Sequence, residues 1–183
     1  MYRVDDRDVV VPLTDAPQSN VGAPLPHVLQ SGHGFLLAYY MHERDPHWDG
    51  SYARMVDAET NEDPVALVQF DLARATYFGA PNDEAFEGHP LAARGLRPYG
   101  AYEVRDSSWI RALERMNSVH RAHSPKMFEN LRHFIFAFHD EVFECVARGV
   151  SWSIHPGPLK SLLPEMQARL RSCPRPSHAH PSG

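Results

Sequence analysis

The sequence predicts an α+β fold: a mainly antiparallel, strongly curved sheet, half-barrel or sandwich-like, with one main amphipathic helix and a C-terminal helix. Three observations predict it. Strand-like runs dominate the first 78 residues. Residues His133 to Ala147, HFIFAFHDEVFECVA, alternate with period two, break at His139-Asp140-Glu141 and alternate again, which is a β-hairpin signal. Strands and helices do not alternate regularly and no Gly-rich strand-to-helix loop occurs, which argues against a doubly wound nucleotide fold.

The elements follow in chain order. Val9-Val10-Val11 is a short apolar run, and Pro12, Pro17, Pro24 and Pro26 then favour an extended arm or edge strand over a helix. Phe35 to Met41, FLLAYYM, is a compact β run, followed by the turn-rich HERDPHWDG. Tyr52 to Asp57 reads as a short strand, Val65 to Leu72 as a longer one, and Ala75 to Phe78 as its continuation after a bend. Asn82 is placed to cap a helix whose first turn is acidic, with Gly88 and Pro90 limiting its length. Pro90 can restart a helix ending near Gly95. Tyr102 to Val104 is a short strand. Ser107 or Ser108 caps the main helix, SWIRALERMNSVH, whose Trp109, Leu113, Met116 and His120 recur at helical spacing. After the hairpin come a short SWSI strand and a last amphipathic segment carrying Leu159, Leu163, Met166 and Leu170, with Pro164 forcing a late start or a kink. The organisation expected is an N-terminal arm or edge strand over 1–30, a single α+β domain over 31–172 and a disordered tail over 173–183.

Composition narrows the function classes. Of 183 residues, 43% are hydrophobic and 10% aromatic, enough for a substantial core. A net charge of -5 with scattered arginines and no basic stripe argues against a nucleic-acid partner. No run approaches the roughly 18 apolar residues of a membrane span. The start, MYRVDDRDVVV, lacks the apolar stretch of a secretory signal. With only Cys145 and Cys173, no disulfide framework is expected, and a cytoplasmic protein is the default.

Four clusters of ionisable residues could carry chemistry in this histidine-rich chain. A turn of two residues, His139-Asp140, or of four, His139 to Val142, puts Phe134, Phe136, Phe138, Phe143 and Cys145 on one hairpin face and His133, Ile135, Ala137, Val142, Glu144 and Val146 on the other. With the two-residue turn, Glu144 lies opposite Ile135 and diagonal to His133, where a carboxylate can orient an imidazole for acid–base catalysis. The plain alternative is an ordinary cross-strand contact on a half-exposed face. His139 and Asp140 themselves read as turn residues.

The loop after FLLAYYM offers His42, His47 and Asp49 as ligands for a divalent metal and Trp48 as a ligand-binding residue. The alternative is a solvated polar turn. Asn82, Asp83, Glu84 and His89 are ligand-binding candidates, with capping as the competing role. His120 and His123 form an HxxH pair that would need a third ligand from elsewhere. Cys145, on the aromatic face, reads as a small core hydrophobe. No GxSxG, CxxC or HExxH motif occurs.

No cofactor is specified, although a divalent metal is compatible with the histidine loop. The favoured expectation is a soluble binding or accessory domain holding a small ligand or partner protein. The alternative is an enzyme with a His/carboxylate acid–base site, assisted or not by a divalent metal. An unpaired N-terminal edge strand is compatible with a homodimer, and no membrane partner is expected.

Overall fold

The aromatic face of the hairpin lies between two sheets packed face to face. The computed structural model describes residues 2–32, 34–42 and 56–172. Its strands, in chain order, are β1 (Val9–Pro12), β2 (His27–Ser31), β3 (Gly34–Tyr40), β4 (Val65–Asp71), β5 (Ala75–Gly79), β6 (Gly100–Arg105), β7 (Arg132–Ala137), β8 (Val142–Ala147) and β9 (Gly149–His155). One sheet has five strands in the order β1-β6-β7-β8-β5, and the other has four in the order β2-β3-β4-β9. Every strand pairing is antiparallel. The fold is therefore α+β with two open antiparallel sheets. The N-terminal strands β1 and β2 each form the edge of one sheet.

Period-two patterning decides what each face meets. Phe134, Phe136, Phe138, Phe143 and Cys145 from the hairpin interleave with Phe35, Leu37, Tyr39, Ala66, Val68 and Phe70 from β3 and β4. That aromatic layer is the centre of the sandwich. All seven residues of β3 are buried. Its other face, Leu36, Ala38 and Tyr40, packs under Leu159, Leu162 and Met166. A continuous apolar run such as FLLAYY is what a strand covered on both faces requires. The chain changes sheets twice at one corner, β4 to β5 and β8 to β9. There Arg148 N donates to Asp71 O at 2.8 Å, and Arg74 N donates to Val146 O at 2.7 Å.

Helix α1 spans Ser108–Asn117 and α2 spans Leu163–Ser172, with Pro164 inside its first turn, where a missing N–H costs no hydrogen bond. Three helical expectations are corrected. The main helix stops at Asn117 rather than running to His120, and Met116 is 74% exposed, so the expected apolar stripe does not extend past Leu113. The segment after Asn82 forms only a short 3-10 turn, Phe86–Gly88, because Gly88 and Pro90 leave no room for a full helix. The segment after Pro90 is likewise a 3-10 turn, Ala92–Arg94, closed by Gly95 in the left-handed region at φ 93°. The expected strand over 52–57 and the tail over 173–183 fall wholly or mostly outside the described residues; Val56 and Asp57 are not in a strand. Among the described residues no helix is long and apolar enough to cross a membrane.

Candidate functional site

The hairpin register places Ile135 opposite Glu144 and His133 opposite Val146, so Glu144 lies diagonal to His133. Phe138 N donates to Glu141 O at 2.9 Å and closes a two-residue turn on His139-Asp140. The expected half-exposure of this face is corrected: His133 and Glu144 are both 0% exposed. Phe86, Leu91 and Leu96 from the 3-10 turns, with Tyr2, Val4 and Val10 from the N-terminal segment, cover it. A carboxylate sealed in this way must be compensated by hydrogen bonds.

Three donors converge on Glu144. The Tyr2 hydroxyl donates to Oε2 at 2.6 Å, and His133 Nε2 lies 2.9 Å from the same oxygen. His89 Nε2 lies 3.3 Å from Oε1. The ring tautomers follow from the outer partners. Leu91 N donates to His89 Nδ1 at 3.1 Å, so neutral His89 carries its proton on Nε2 and gives it to Glu144. His133 Nδ1 is 3.0 Å from Ser107 Oγ, which itself accepts from Ile110 N at 3.3 Å as the N-cap of α1. The Ser107 hydroxyl proton is free for His133 Nδ1, and His133 Nε2 then faces Glu144 as a donor. Tyr2 stacks on Trp109 with centroids 5.2 Å apart, and both rings stand edge-on to the His133 imidazole.

The segment carrying Tyr2 is fastened to α1. Ser108 N donates to Asp8 Oδ1 at 2.6 Å, and the Arg111 guanidinium forms an ion pair with Asp5 at 2.7 Å. A buried carboxylate at the helix N-terminus suits the exposed N–H groups there.

Burial alone would raise the Glu144 carboxyl, but the hydrogen bonds from His133 and His89, reinforced by Tyr2, outweigh it and hold it at about 2 against an ordinary 4.5. Burial and the same carboxylate push the Tyr2 phenol up. Because the folded value of Glu144 is depressed, its contribution to stability is complete above pH 4.5 and is lost as pH falls towards 2. The contribution is about 3 kcal/mol at neutral pH. Urea midpoints measured down that range are expected to fall, and the Glu144→Gln protein is expected to show a flatter dependence. Equal slopes in the two proteins would refute the assignment.

Ser107, His133 and Glu144 stand in series as hydroxyl, imidazole and carboxylate. General acid–base catalysis needs such a group within reach of substrate. Here each ring nitrogen and both carboxylate oxygens are already engaged within the fold, and three cavities among the described residues are lined by other side chains. The arrangement can fix the N-terminal segment and α1 on the sheet.

The remaining candidates separate. His89 joins Glu144, whereas Asp83 accepts the Tyr99 hydroxyl, Asn82 Oδ1 accepts from Ala85 N at 3.1 Å, and Glu84 is exposed. The expected grouping of these four is thus split by the 3-10 turn that folds His89 inward. His42 is exposed; its expected companions His47, Trp48 and Asp49 lie outside the described residues. His123 Nδ1 is 3.0 Å from Asn117 Oδ1, and His120 Nδ1 accepts from Ala122 N at 3.2 Å, so each serves its own turn. Among the described residues no three His, Cys, Asp or Glu side chains are placed to hold a metal.

Sequence reasoning did not reach Tyr2, which lies 142 positions from Glu144. It named Ser107 only as a cap. It also missed a cavity of about 160 Å³ at one end of the sandwich, where Tyr39, Phe136 and Phe138 meet Tyr99 and the segment Pro12 to Ser19. That segment is held by Leu13 N donating to Ala101 O at 2.9 Å and by the Tyr39 hydroxyl donating to Pro17 O at 2.7 Å. A second, more open hollow of about 310 Å³ lies between Leu113 and Met116 of α1 and Met127-Phe128. No family model matches the chain, and neither a curated protein nor a solved structure matches it.

Proposed function

We propose that this chain is a non-enzymatic binding module that holds a small ligand at the open end of its sandwich. The observation that carries the proposal is the cavity of about 160 Å³ bounded by Tyr39, Tyr99, Phe136 and Phe138. A space of about 150 Å³ takes a molecule the size of benzene. Three of its walls belong to the central aromatic layer, so they are in place before a ligand arrives and little ordering entropy opposes binding. Thr14, Gln18 and Ser19 at the rim supply the few polar groups that orient a ligand in a mainly apolar site. The closed state of the His133–Glu144 cluster favours binding over acid–base catalysis. A cytoplasmic setting is part of the reading, supported by the small number of cysteines.

Ala101 packs against the central layer from β6, opposite Phe136, and borders the cavity. The Ala101→Leu substitution fills that space without removing a polar contact. Amide NMR titration of the wild-type protein with small ring compounds is expected to shift resonances of residues 12–19 and 136–138. In Ala101→Leu the affinity is expected to fall about tenfold or more at a near-unchanged melting temperature. Shifts centred elsewhere, or affinity indifferent to Ala101→Leu, would overturn the proposal.

A further inference from the structure

We infer that the hollow between α1 and the turn that follows it docks a short acidic, amphipathic segment of a partner protein, one carrying two bulky apolar side chains a helical turn apart. This site shares no lining residue with the small-ligand cavity and does not depend on that reading.

The chain leaving α1 is folded back by its own hydrogen bonds. His120 N donates to Asn117 O and His123 N to His120 O, both at 2.9 Å, and a 3-10 turn over Pro125–Met127 follows. His123 Nδ1 lies 3.0 Å from Asn117 Oδ1, and its ring packs 6.1 Å from that of Phe128. The histidine thus ties together two walls of the hollow, which Leu113, Met116, Met127 and Arg74 complete. Walls set in advance lower the ordering cost of binding.

Two properties of this surface say what fits it. The first is apolar exposure. Three of the large apolar side chains that are exposed among the described residues fall between 116 and 127: Met116 at 74%, Val119 at 89% and Met127 at 46%. An apolar patch at a concave site marks a contact surface, and flexible, polarisable methionine adapts to an incoming group. A space of about 150 Å³ holds one benzene ring, so a volume of about 310 Å³ has room for two bulky side chains.

The second is charge. The whole chain is acidic, at -5, yet residues 115–128 contain Arg115, Arg121 and Lys126, with His120 and His123, and no Asp or Glu. These three cations and Arg74 are exposed, and none of them forms an ion pair among the described residues. Elsewhere Arg7, Arg111, Arg132 and Lys160 each meet a carboxylate within 3.3 Å. The acids that adjoin the patch in sequence are Glu114, which faces His123 at 3.7 Å, and Glu129. Cations left without carboxylates beside an apolar hollow complement a ligand that brings its own acids.

This chain does not itself supply that ligand. Helix α1 carries Arg111 and Arg115 against Glu114, and α2 carries Arg169 and Arg171 against Glu165, so neither helix of a second copy has the required charge. Residues 173–183 contain no acid and no bulky apolar side chain. A flat lipid surface would reach Met116 and Val119 but leave the hollow unfilled. A peptide with apolar residues at i and i+4 fills it while its Asp and Glu side chains reach the cations.

The experiment is a display selection of random peptides about four helical turns long against the full chain, with the best peptide then titrated by fluorescence anisotropy and mapped by amide NMR. Selected peptides are expected to be enriched in Asp and Glu, to carry two bulky apolar residues one turn apart and to shift resonances of residues 113–128. Affinity is expected to fall about tenfold or more in the Arg121→Glu, Lys126→Glu double variant and several-fold in Met116→Gln, and to weaken as salt rises. Lys160→Glu, a charge reversal at another surface, is expected to leave it unchanged. All four side chains are exposed, so melting temperatures should stay near that of the wild type. A selection that yields no binder, peptides without an excess of acid, shifts centred outside 113–128, or indifference to the double charge reversal would overturn the inference. Tighter binding to vesicles containing phosphatidylserine than to any selected peptide would also overturn it, by assigning the surface to lipid. Ring compounds that shift residues 12–19 report on the small-ligand reading alone, so either reading can fail without the other.

Discussion

Replacing Glu144 by alanine is expected to lower the free energy of unfolding by about 3–5 kcal/mol, the usual cost of removing one partner from a buried charged network. The reason is the number of groups left behind. Tyr2, His89 and His133 all point hydrogen-bond donors at Glu144, and His89, His133 and Glu144 are each no more than 3% exposed. Without the carboxylate these donors keep their desolvation cost and lose their acceptor. Glu144→Gln should lose less, about 1–3 kcal/mol, because its amide oxygen still accepts while its NH₂ faces a donor. Urea unfolding measures both. A loss below about 1 kcal/mol for alanine would mean that water reaches the donors and the cluster is open.

Phe70→Ala is expected to cost a comparable amount, about 3–5 kcal/mol, through an unfilled cavity. Phe70, on β4, meets Phe143 at 5.2 Å, Phe136 at 5.9 Å and Phe134 at 6.1 Å, all on the opposite sheet, and Phe35 at 6.5 Å on the neighbouring strand. Those rings are held by two sheets and can close the gap only partly. Phe78, which is 41% exposed on the edge strand β5, supplies the comparison. Phe78→Ala is expected to cost under about 1.5 kcal/mol, since most of its transfer energy was never gained. Equal losses at the two positions, read from urea midpoints, would refute the assignment of Phe70 to the centre of the sandwich.

Much of the sheet architecture was legible in the chain because strand side chains alternate strictly. The pattern from His133 to Ala147 specified both faces and left a turn of two or four residues; the structure keeps the faces and takes the two-residue turn, with Glu144 opposite Ile135. FLLAYYM read as a strand for a different reason, as a short continuous β-prone run bounded by turn residues. The helix over SWIRALERMN was legible from its Ser107 cap and its spacing, but its end was not. Val119 and His120 are helix-compatible residues that find nothing to pack against, and Val119 is 89% exposed. Local pattern records what a helix face could bury, and only the neighbouring surface decides whether it does so.

The candidate cluster was half legible. Register placed His133 beside Glu144, whereas the burial of that face depends on Tyr2, His89 and Ser107, which approach from three separate segments. Their partnership with the pair leaves no local signature, since 142, 55 and 26 residues separate the bonded groups. The cavity was invisible for a similar reason: its walls come from β3, the start of β6, the hairpin and the segment Pro12 to Ser19.

The sequence by itself determined most of the strands, though not β2 (His27–Ser31), and the separation of an aromatic face from a face carrying His133 and Glu144, because these follow from a period of two and from turn chemistry between near neighbours. Only the tertiary structure decided that the second face is sealed, that Glu144 is saturated by donors from across the chain, and that space remains at the other end of the aromatic layer. Burial, hydrogen-bond saturation and empty volume depend on which distant segments meet, and that is a property of the packed molecule.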